Sequence, residues 1–203
     1  MKQLIFFAAL LFSLNLHLSA SPLDTLPTPF GIKIDLSAES KKWRSYSSYN
    51  GNFSVLSPGD MIEKVDTVLT AMGELAYHTF FFHNKAQNAD NVLYMLSYCD
   101  YPEGALHHDS IELLQDFFDV TMDAAAKSVK GELLYSNDIE IHGFPGKRWR
   151  IDYLDGDAII KTKAFVSGHR YYALQTITKK ERSLNFSADK FLDSFQFLNM
   201  ASR

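Results

Sequence analysis

Four cations that lie close together in the sequence are the residues best suited to bind a ligand: Arg148, Arg150, Lys161 and Lys163. They belong to two runs in which polar and apolar residues alternate. Asp155-Gly156 between the runs is a strong signal for a β-hairpin with a two-residue loop. That loop would pair the two arginines with the two lysines on one face of the hairpin. Like charges directly opposite each other destabilise a sheet, so this face requires counter-charges or an anionic ligand.

Two explanations of these four cations remain open. In the structural one, carboxylates from neighbouring elements, with Asp152 the nearest in sequence, neutralise a solvated face. In the functional one, the face binds an acidic protein partner or an anionic ligand, because a local positive field on an acidic protein attracts anions. The four residues are therefore our candidate binding site.

Other patterns give no catalytic or metal site. His107-His108-Asp109 lacks the spacing of a metal motif, and adjacent histidines in a loop are expected to point apart. Asp116, Asp119 and Asp123 are expected to be solvated on a helix. Cys99, in an apolar stretch, is expected to be a buried, inert thiol. Since nucleophile elbows, phosphate loops and dinucleotide fingerprints are also missing from the sequence, we predict no enzyme activity, no cofactor and no metal.

The N-terminus has the pattern of a secretory signal peptide. Lys2 precedes an apolar run from Leu4 to Leu16, and Ala20 is a suitable cleavage residue. The run is too short for a transmembrane helix. We therefore predict a signal peptide over residues 1–20 and an exported mature protein, periplasmic or secreted, without a transmembrane segment.

Charge, cysteine content and length narrow the class of protein. The 203-residue chain has a net charge of −4, and −5 after loss of Lys2, so we expect no nucleic-acid partner. A single cysteine excludes an internal disulfide and a cysteine zinc cluster. Residues 21–29, with three prolines, are predicted to be a linker. Residues 30–203 are long enough for a single domain with a substantial core.

The strands predicted around the candidate site form a long antiparallel series. Alternating apolar residues predict a first strand from Phe30 to Leu36, and hairpins follow it. Val92 to Cys99 is apolar on both faces and is expected to be central in the sheet. Ser167-Gly168-His169 is predicted to be a three-residue loop, which would place Tyr172 on the same face as Ala164.

Two amphipathic helices are predicted. The first extends from Ser110 to Lys130, with Asp109 as its N-cap and Gly131 as its left-handed stop. It is expected to pack Phe118 against the sheet.

The second helix is predicted to begin with Ser187 as its N-cap, and Phe186 and Phe191 would form a hydrophobic staple. A run of strands, a helix, more strands and a final helix is typical of an α+β protein. We therefore predict an antiparallel β-sheet meander covered by two amphipathic helices.

The order and spacing of several segments resemble a known group of proteins. The segments, in chain order, are N-G-N-F-S-V-L-S-P-G, L-S-Y-C-D-Y-P, K-G-E-L-L-Y-S, G-F-P-G-K-R-W-R-I-D-Y, G-H-R-Y-Y-A-L-Q and A-D-K-F-L-D-S-F-Q-F. Together they resemble exported, mostly uncharacterised bacterial proteins that are similar to the PsbP and Mog1 families. The resemblance covers roughly Trp43 to Leu198. It implies a PsbP/Mog1-like α/β/α sandwich and non-enzymatic interaction as the common function of the group.

Two functions follow as expectations. The first is a non-catalytic exported interaction or accessory module that acts through a protein partner. The second is a carrier for a small apolar or anionic ligand. A cavity larger than about 300 Å³ with convergent polar groups would favour the carrier, and a flat charged or aromatic patch would favour the partner. The oligomeric state and the partner's identity stay open.

Overall fold

The computed structural model describes residues 43–70 and 73–199. The predicted signal peptide, the linker and the strand from Phe30 to Leu36 lie outside the described residues. Within the described ranges, no helix combines the length and the apolar character needed to cross a membrane.

The described ranges contain ten strands and two α-helices. In chain order they are β1 (Arg44–Ser48), β2 (Phe53–Ser57), β3 (Ile62–Thr70), β4 (Gly73–His83), β5 (Leu93–Asp100), α1 (Ile111–Ser128), β6 (Glu132–Ile141), β7 (Phe144–Tyr153), β8 (Ala158–Ser167), β9 (Arg170–Lys179), α2 (Phe186–Leu192) and β10 (Gln196–Phe197). A short 3₁₀-helix, Lys180–Arg182, separates β9 from the segment that leads to α2.

The strands form two antiparallel sheets rather than one meander. The larger sheet has seven strands in the order β3-β4-β5-β9-β8-β7-β6, and the smaller has the order β1-β2-β10. The α+β class is confirmed, but the simple meander is wrong because β5 pairs with β9, a strand distant in the sequence. As predicted, β5 lies inside the larger sheet, and its residues Leu93 to Cys99 are buried.

The hairpin of β7 and β8 has the predicted register. Arg148 lies opposite Lys163, and Arg150 lies opposite Lys161. The predicted loop of two residues is wrong, because the last pair of the hairpin is Tyr153 and Ala158 and four residues lie between them. Three of these are left-handed, with φ of 53° at Leu154 and Asp155 and 88° at Gly156. The four candidate cations therefore share one face of two neighbouring strands.

The predicted register of β8 and β9 is wrong by one residue. The loop contains two residues, Gly168 and His169, so Tyr172 lies opposite Phe165 rather than beside Ala164. A slip of one residue moves every side chain of a strand to the other face of the sheet. Tyr172 consequently shares a face with the candidate cations.

One face of the larger sheet shares its core with α1. Phe118 and Met122 of α1 are buried in the same cluster as Trp149, Ile151 and Ile160, which confirms the predicted inner side of the helix. The three aspartates predicted to be solvated, Asp116, Asp119 and Asp123, are exposed.

The ends of α1 differ from the prediction. Ser110 occupies the N-cap position, so Asp109 is not the cap. At the other end Lys130 takes the left-handed conformation, with φ 52°, while the Gly131 nitrogen bonds the Ala126 carbonyl at 2.8 Å. Gly131 is needed for close packing instead, because a Cβ there would lie 2.6 Å from Cγ2 of Ile151.

The opposite face shares its core with the smaller sheet and α2. Phe53, Phe165, Phe191 and Phe195 are buried there together. The two sheets are also joined by Arg170, which donates two hydrogen bonds to Asp100 at 2.5 and 2.6 Å and one to the Asn50 carbonyl at 2.9 Å.

The predicted start of α2 is wrong in two respects. Asn185 is the N-cap rather than Ser187, and its side chain accepts a hydrogen bond from the Ala188 nitrogen at 2.8 Å. Phe191 is buried, but Phe186 is exposed, so the two do not form a hydrophobic staple.

Candidate functional site

Two of the four candidate cations are held by neighbouring groups of the same face. Arg150 donates two hydrogen bonds to Asp152 on its own strand, at 2.6 and 2.8 Å. This carboxylate raises the pKa of Arg150 above its ordinary value. Lys161 donates from Nζ to the Ser183 carbonyl at 2.9 Å. Both cations therefore have structural partners inside the chain.

The other two cations lie side by side but in different electrostatic situations. Lys163 forms an ion pair with Asp193, which follows α2. Arg148 is exposed, and within the part of the chain that the structure describes it has neither an ion-pair nor a hydrogen-bond partner. Arg148 is thus the member of the four whose charge is available to a ligand.

Arg148 borders an open pocket of about 300 Å³, which we call the Arg148 groove. The groove lies between the end of β6, strands β7 and β8, and the segment that joins α2 to β10. Its polar and aromatic lining comprises Glu140, His142, Arg148, Lys163, Asp193, Phe195 and Gln196. His142 is fixed by a contact of 2.9 Å between its Nε2 and the Phe195 carbonyl oxygen. An arginine, a histidine, a glutamine and a glutamate therefore border one open space.

The groove is next to β6, an edge strand of the larger sheet. Most of this strand is exposed, and Asn137 lies opposite Arg148 in the register of β6 and β7. A bulge between Leu133 and Tyr135 interrupts the pairing near the start of the strand. Beyond the bulge, β6 is available to pair with another chain, because an edge strand has backbone N–H and C=O groups without partners on its outer side.

His107-His108-Asp109 is more compact than predicted but poorly suited to a metal ion. The two imidazole centroids are 4.3 Å apart, so the rings do not point apart. However, His108 Nδ1 accepts a hydrogen bond from the Gly168 nitrogen at 3.0 Å. A neutral ring that accepts at Nδ1 carries its proton on Nε2, and that nitrogen lies 3.3 Å from Asp109 Oδ1. Neither nitrogen of His108 then has a free lone pair for a metal.

Cys99 lies inside the sheet and is fully buried. Burial raises the pKa of its thiol from 9.0 to about 12, and the nearby Asp100 carboxylate acts in the same direction. Because the thiolate is the nucleophilic form of cysteine, this environment suppresses reaction at the sulfur.

Sequence reasoning missed several residues of the Arg148 groove. His142 is in the turn between β6 and β7, whereas Phe195 and Gln196 follow α2. Only the folding of the C-terminal segment onto β2 and β8 brings them to Arg148, so no local pattern indicates the groove.

Comparison with known proteins gives fold-level similarities. No protein-family model matches the chain, and no curated protein matches it. The solution structure of cyanobacterial PsbP (CyanoP) from Synechocystis sp. PCC 6803 is similar, with 11% identity, a TM-score of 0.46 and coverage of 84% of this chain and 99% of that chain. A Pseudomonas aeruginosa protein of unknown function has 14% identity, a TM-score of 0.37 and coverage of 69% and 85%. These similarities carry no assignment of activity or partner.

Proposed function

We propose that the protein is a non-catalytic, exported interaction module of the PsbP/Mog1-like α/β/α type, and that it binds an acidic segment of a protein partner at the Arg148 groove. The observation that carries the proposal is the free charge of Arg148. Arg150 and Lys163 on the same face are paired with Asp152 and Asp193, and Lys161 donates to the Ser183 carbonyl. Arg148, in contrast, is exposed beside an open pocket.

The position of the groove favours an extended peptide as the ligand. A peptide that adds to an exposed sheet edge gains main-chain hydrogen bonds, and side-chain sites next to the edge provide specificity. Asn137 on the edge strand is opposite Arg148, so a carboxylate of a peptide along β6 would be near the guanidinium. Arginine is well suited to this contact, because its planar fork can bond both oxygens of a carboxylate.

The groups in the groove support binding better than catalysis. His142, the histidine among the lining residues, is engaged by the Phe195 carbonyl oxygen. Asp193 is paired with Lys163. The lining thus contributes charge and hydrogen-bonding groups without a nucleophile next to a base.

A carrier for a small anionic ligand is the second candidate. It is favoured by the pocket volume of about 300 Å³ and by the convergence of Arg148, His142 and Gln196. That volume is at the lower limit of roughly 300–1,000 Å³ found for small-molecule sites. A small carboxylate or phosphate would fit, and a large cofactor would not.

Arg148→Gln tests the proposed function directly. Tagged protein produced in its native host should capture a protein partner, and Arg148→Gln should reduce that capture, most clearly at low salt where the attraction is least screened. The melting temperature should stay nearly unchanged, because exposed charges contribute about 0–1 kcal/mol to stability. The measurement is a quantitative pulldown together with a thermal melt of each variant.

Lys127→Gln is the matched control. It removes the same charge from α1, on the other side of the larger sheet, and breaks an exposed pair with Asp123. It should leave capture intact. Equal capture by wild type and Arg148→Gln would contradict the proposal. Loss of a bound small anion from Arg148→Gln, with capture unchanged, would instead support the carrier.

A further inference from the structure

The start of α2 and the segment before it expose two large apolar side chains almost completely. Leu184 is 97% exposed and Phe186 is 93% exposed. Single apolar residues on a surface are ordinary. Two of this size that flank one residue and contact almost nothing form a protrusion, which we call the apolar tip.

The apolar tip is held outward by the residue between its two members. Asn185 accepts hydrogen bonds from the Ala188 nitrogen at 2.8 Å and from Asn91 Nδ2 at 3.0 Å. Its own Nδ2 donates to the Arg182 carbonyl at 2.7 Å. Since Asn185 is fixed toward the protein, the side chains on either side of it are directed to solvent.

The partners of Asn185 belong to a buried polar network. Asn91 is fully buried, donates to the Tyr94 hydroxyl at 2.9 Å and accepts from the Thr178 hydroxyl. Ser187, in the first turn of α2, donates to Asp90 at 2.7 Å. Several hydrogen bonds therefore fix the backbone at the tip, so the fold itself holds Leu184 and Phe186 in their exposed positions.

Basic residues flank the apolar tip in the sequence, and one of them, Lys190, lies 4.6 Å from the centroid of the Trp43 ring. Residues 179–190 contain four cations and two carboxylates, a net charge of +2 in a chain whose net charge is −4. The exposed cations are Lys179, Lys180, Arg182 and Lys190. Apolar side chains within a basic rim are the combination that binds anionic lipid surfaces, in which the rim contacts head groups and the apolar groups enter the interface.

Two backbone carbonyls next to the apolar tip have hydrogen-bond donors within the protein. The Arg182 carbonyl accepts from Asn185, and the Ser183 carbonyl accepts from Lys161 at 2.9 Å. Backbone groups that enter a bilayer interface without partners would oppose insertion. Because these two carbonyls are already paired, the free-energy cost of removing them from water is reduced at the residues before Leu184.

We propose that the apolar tip docks the protein on an anionic lipid bilayer, with Leu184 and Phe186 inserted in the interfacial region. The convex shape favours a lipid surface over a protein partner, because two free side chains can enter a soft interface without a complementary pocket. The inference does not depend on the proposed function, since Arg148 lies near the C-terminal end of α2 and the tip lies at its N-terminal end.

The test is sedimentation of the full-length protein with vesicles of equal parts phosphatidylglycerol and phosphatidylcholine. Wild type should bind, and Leu184→Ser/Phe186→Ser should bind about tenfold or more weakly, because the apolar area that leaves water is lost. Lys179→Gln/Lys180→Gln should weaken binding by about fivefold for each cation removed. Salt and pure phosphatidylcholine should both lower wild-type binding.

A second pair of exposed apolar residues provides the control. Ile62 is 62% exposed and Leu69 is 74% exposed, both on edge strand β3. Ile62→Ser/Leu69→Ser removes comparable apolar surface from another site and should bind vesicles like wild type. All variants keep the same residues 1–42, so any binding through those residues is common to all of them.

Phe186→Trp reports insertion separately from binding. Its added fluorescence should shift to the blue with anionic vesicles and should be quenched by brominated acyl chains. The proposal is overturned if wild type fails to bind anionic vesicles, or if the tip variant binds as well as wild type. Loss of a captured protein partner from the tip variant, without any vesicle binding, would assign the tip to a protein interface and also overturn the proposal.

Discussion

Three of the four cations on the β7–β8 face have partners of very different origin, two carboxylates and one backbone carbonyl. Arg150 uses a carboxylate on its own strand, whereas Lys161 and Lys163 use groups from the segment around α2. The double variant Arg148→Gln/Lys163→Gln would therefore combine loss of a ligand contact with loss of an internal ion pair. Single substitutions separate the two roles.

The sequence predicts that these four residues share a face but not which of them is free. The shared face follows from a local turn signal. The partners of the two lysines are a backbone carbonyl of residue 183 and a carboxylate of residue 193, and only the tertiary fold brings them close. The alternation of polar and apolar residues thus predicts which side chains share the surface. It does not predict which of the four cations lacks a partner.

Cys99 offers a prediction at the level of one side chain. At pH ~8, where an ordinary thiol is partly ionised, iodoacetamide should not label Cys99 in the folded protein. The raised pKa of about 12 means that folding favours the neutral thiol. The stability from this group is present below pH 9.0, its ordinary pKa, and is lost as the pH rises toward 12.

The measurement is mass spectrometry of the labelled protein across a denaturant series. Labelling should increase in step with unfolding followed by circular dichroism. Labelling of the native protein at the rate of the denatured chain would show that the thiol is accessible and reactive.

Single elements differ in how far local sequence determines them. The register of β7 and β8 is predictable from the turn signal of Asp155 and Gly156, although the loop has four residues and Leu154 is left-handed as well. The register of β8 and β9 is not, because Gly168 suits either loop length and β9 is buried on both faces. Without a polar face, hydrophobic alternation cannot exclude a slip of one residue.

The helix starts show the same limit. Asn185 becomes the cap of α2 through contacts with Asn91, which is 94 residues away in sequence. The local sequence pattern instead favours Ser187 as the N-cap and a hydrophobic staple between Phe186 and Phe191. That prediction would bury Phe186, which is exposed in the structure. The N-cap of α1 forms no side-chain hydrogen bond, so a capping pattern there has little predictive value.

The inner side of α1 is tested by two substitutions on one helix. Phe118→Ala should lower the free energy of unfolding by about 3–5 kcal/mol, because it leaves a cavity among buried core residues. Asp116→Ala should change it by no more than about 0.5 kcal/mol, because Asp116 is exposed. Urea denaturation measures both, and equal effects would contradict the assigned faces of the helix.

At the scale of the whole molecule, one large sheet separates two cores. α1 contributes to one core, and the smaller sheet and α2 contribute to the other. The sequence predicts the α+β class, since strands and helices have different hydrophobic periods. It does not predict the second sheet, because β10 has two residues and pairs with β2 from the opposite end of the described chain.

This arrangement also creates the Arg148 groove. The segment after α2 crosses the face of β8 and leaves the outer part of that face, near β6, uncovered. The groove therefore depends on the position of residues 192–196 beside β7 and β8, and β6 is an edge strand because it ends the order of the larger sheet. The proposed binding of an acidic peptide depends on this geometry as a whole.

Site-specific photo-crosslinking from β6 tests the central claim most directly. A photoreactive residue in place of Asn137, which lies opposite Arg148, should form a covalent adduct with a protein partner in the native host. The yield should fall when Arg148→Gln is added and should persist with Lys127→Gln. Absence of a protein adduct from this position, or an adduct whose yield does not depend on Arg148, would contradict the account.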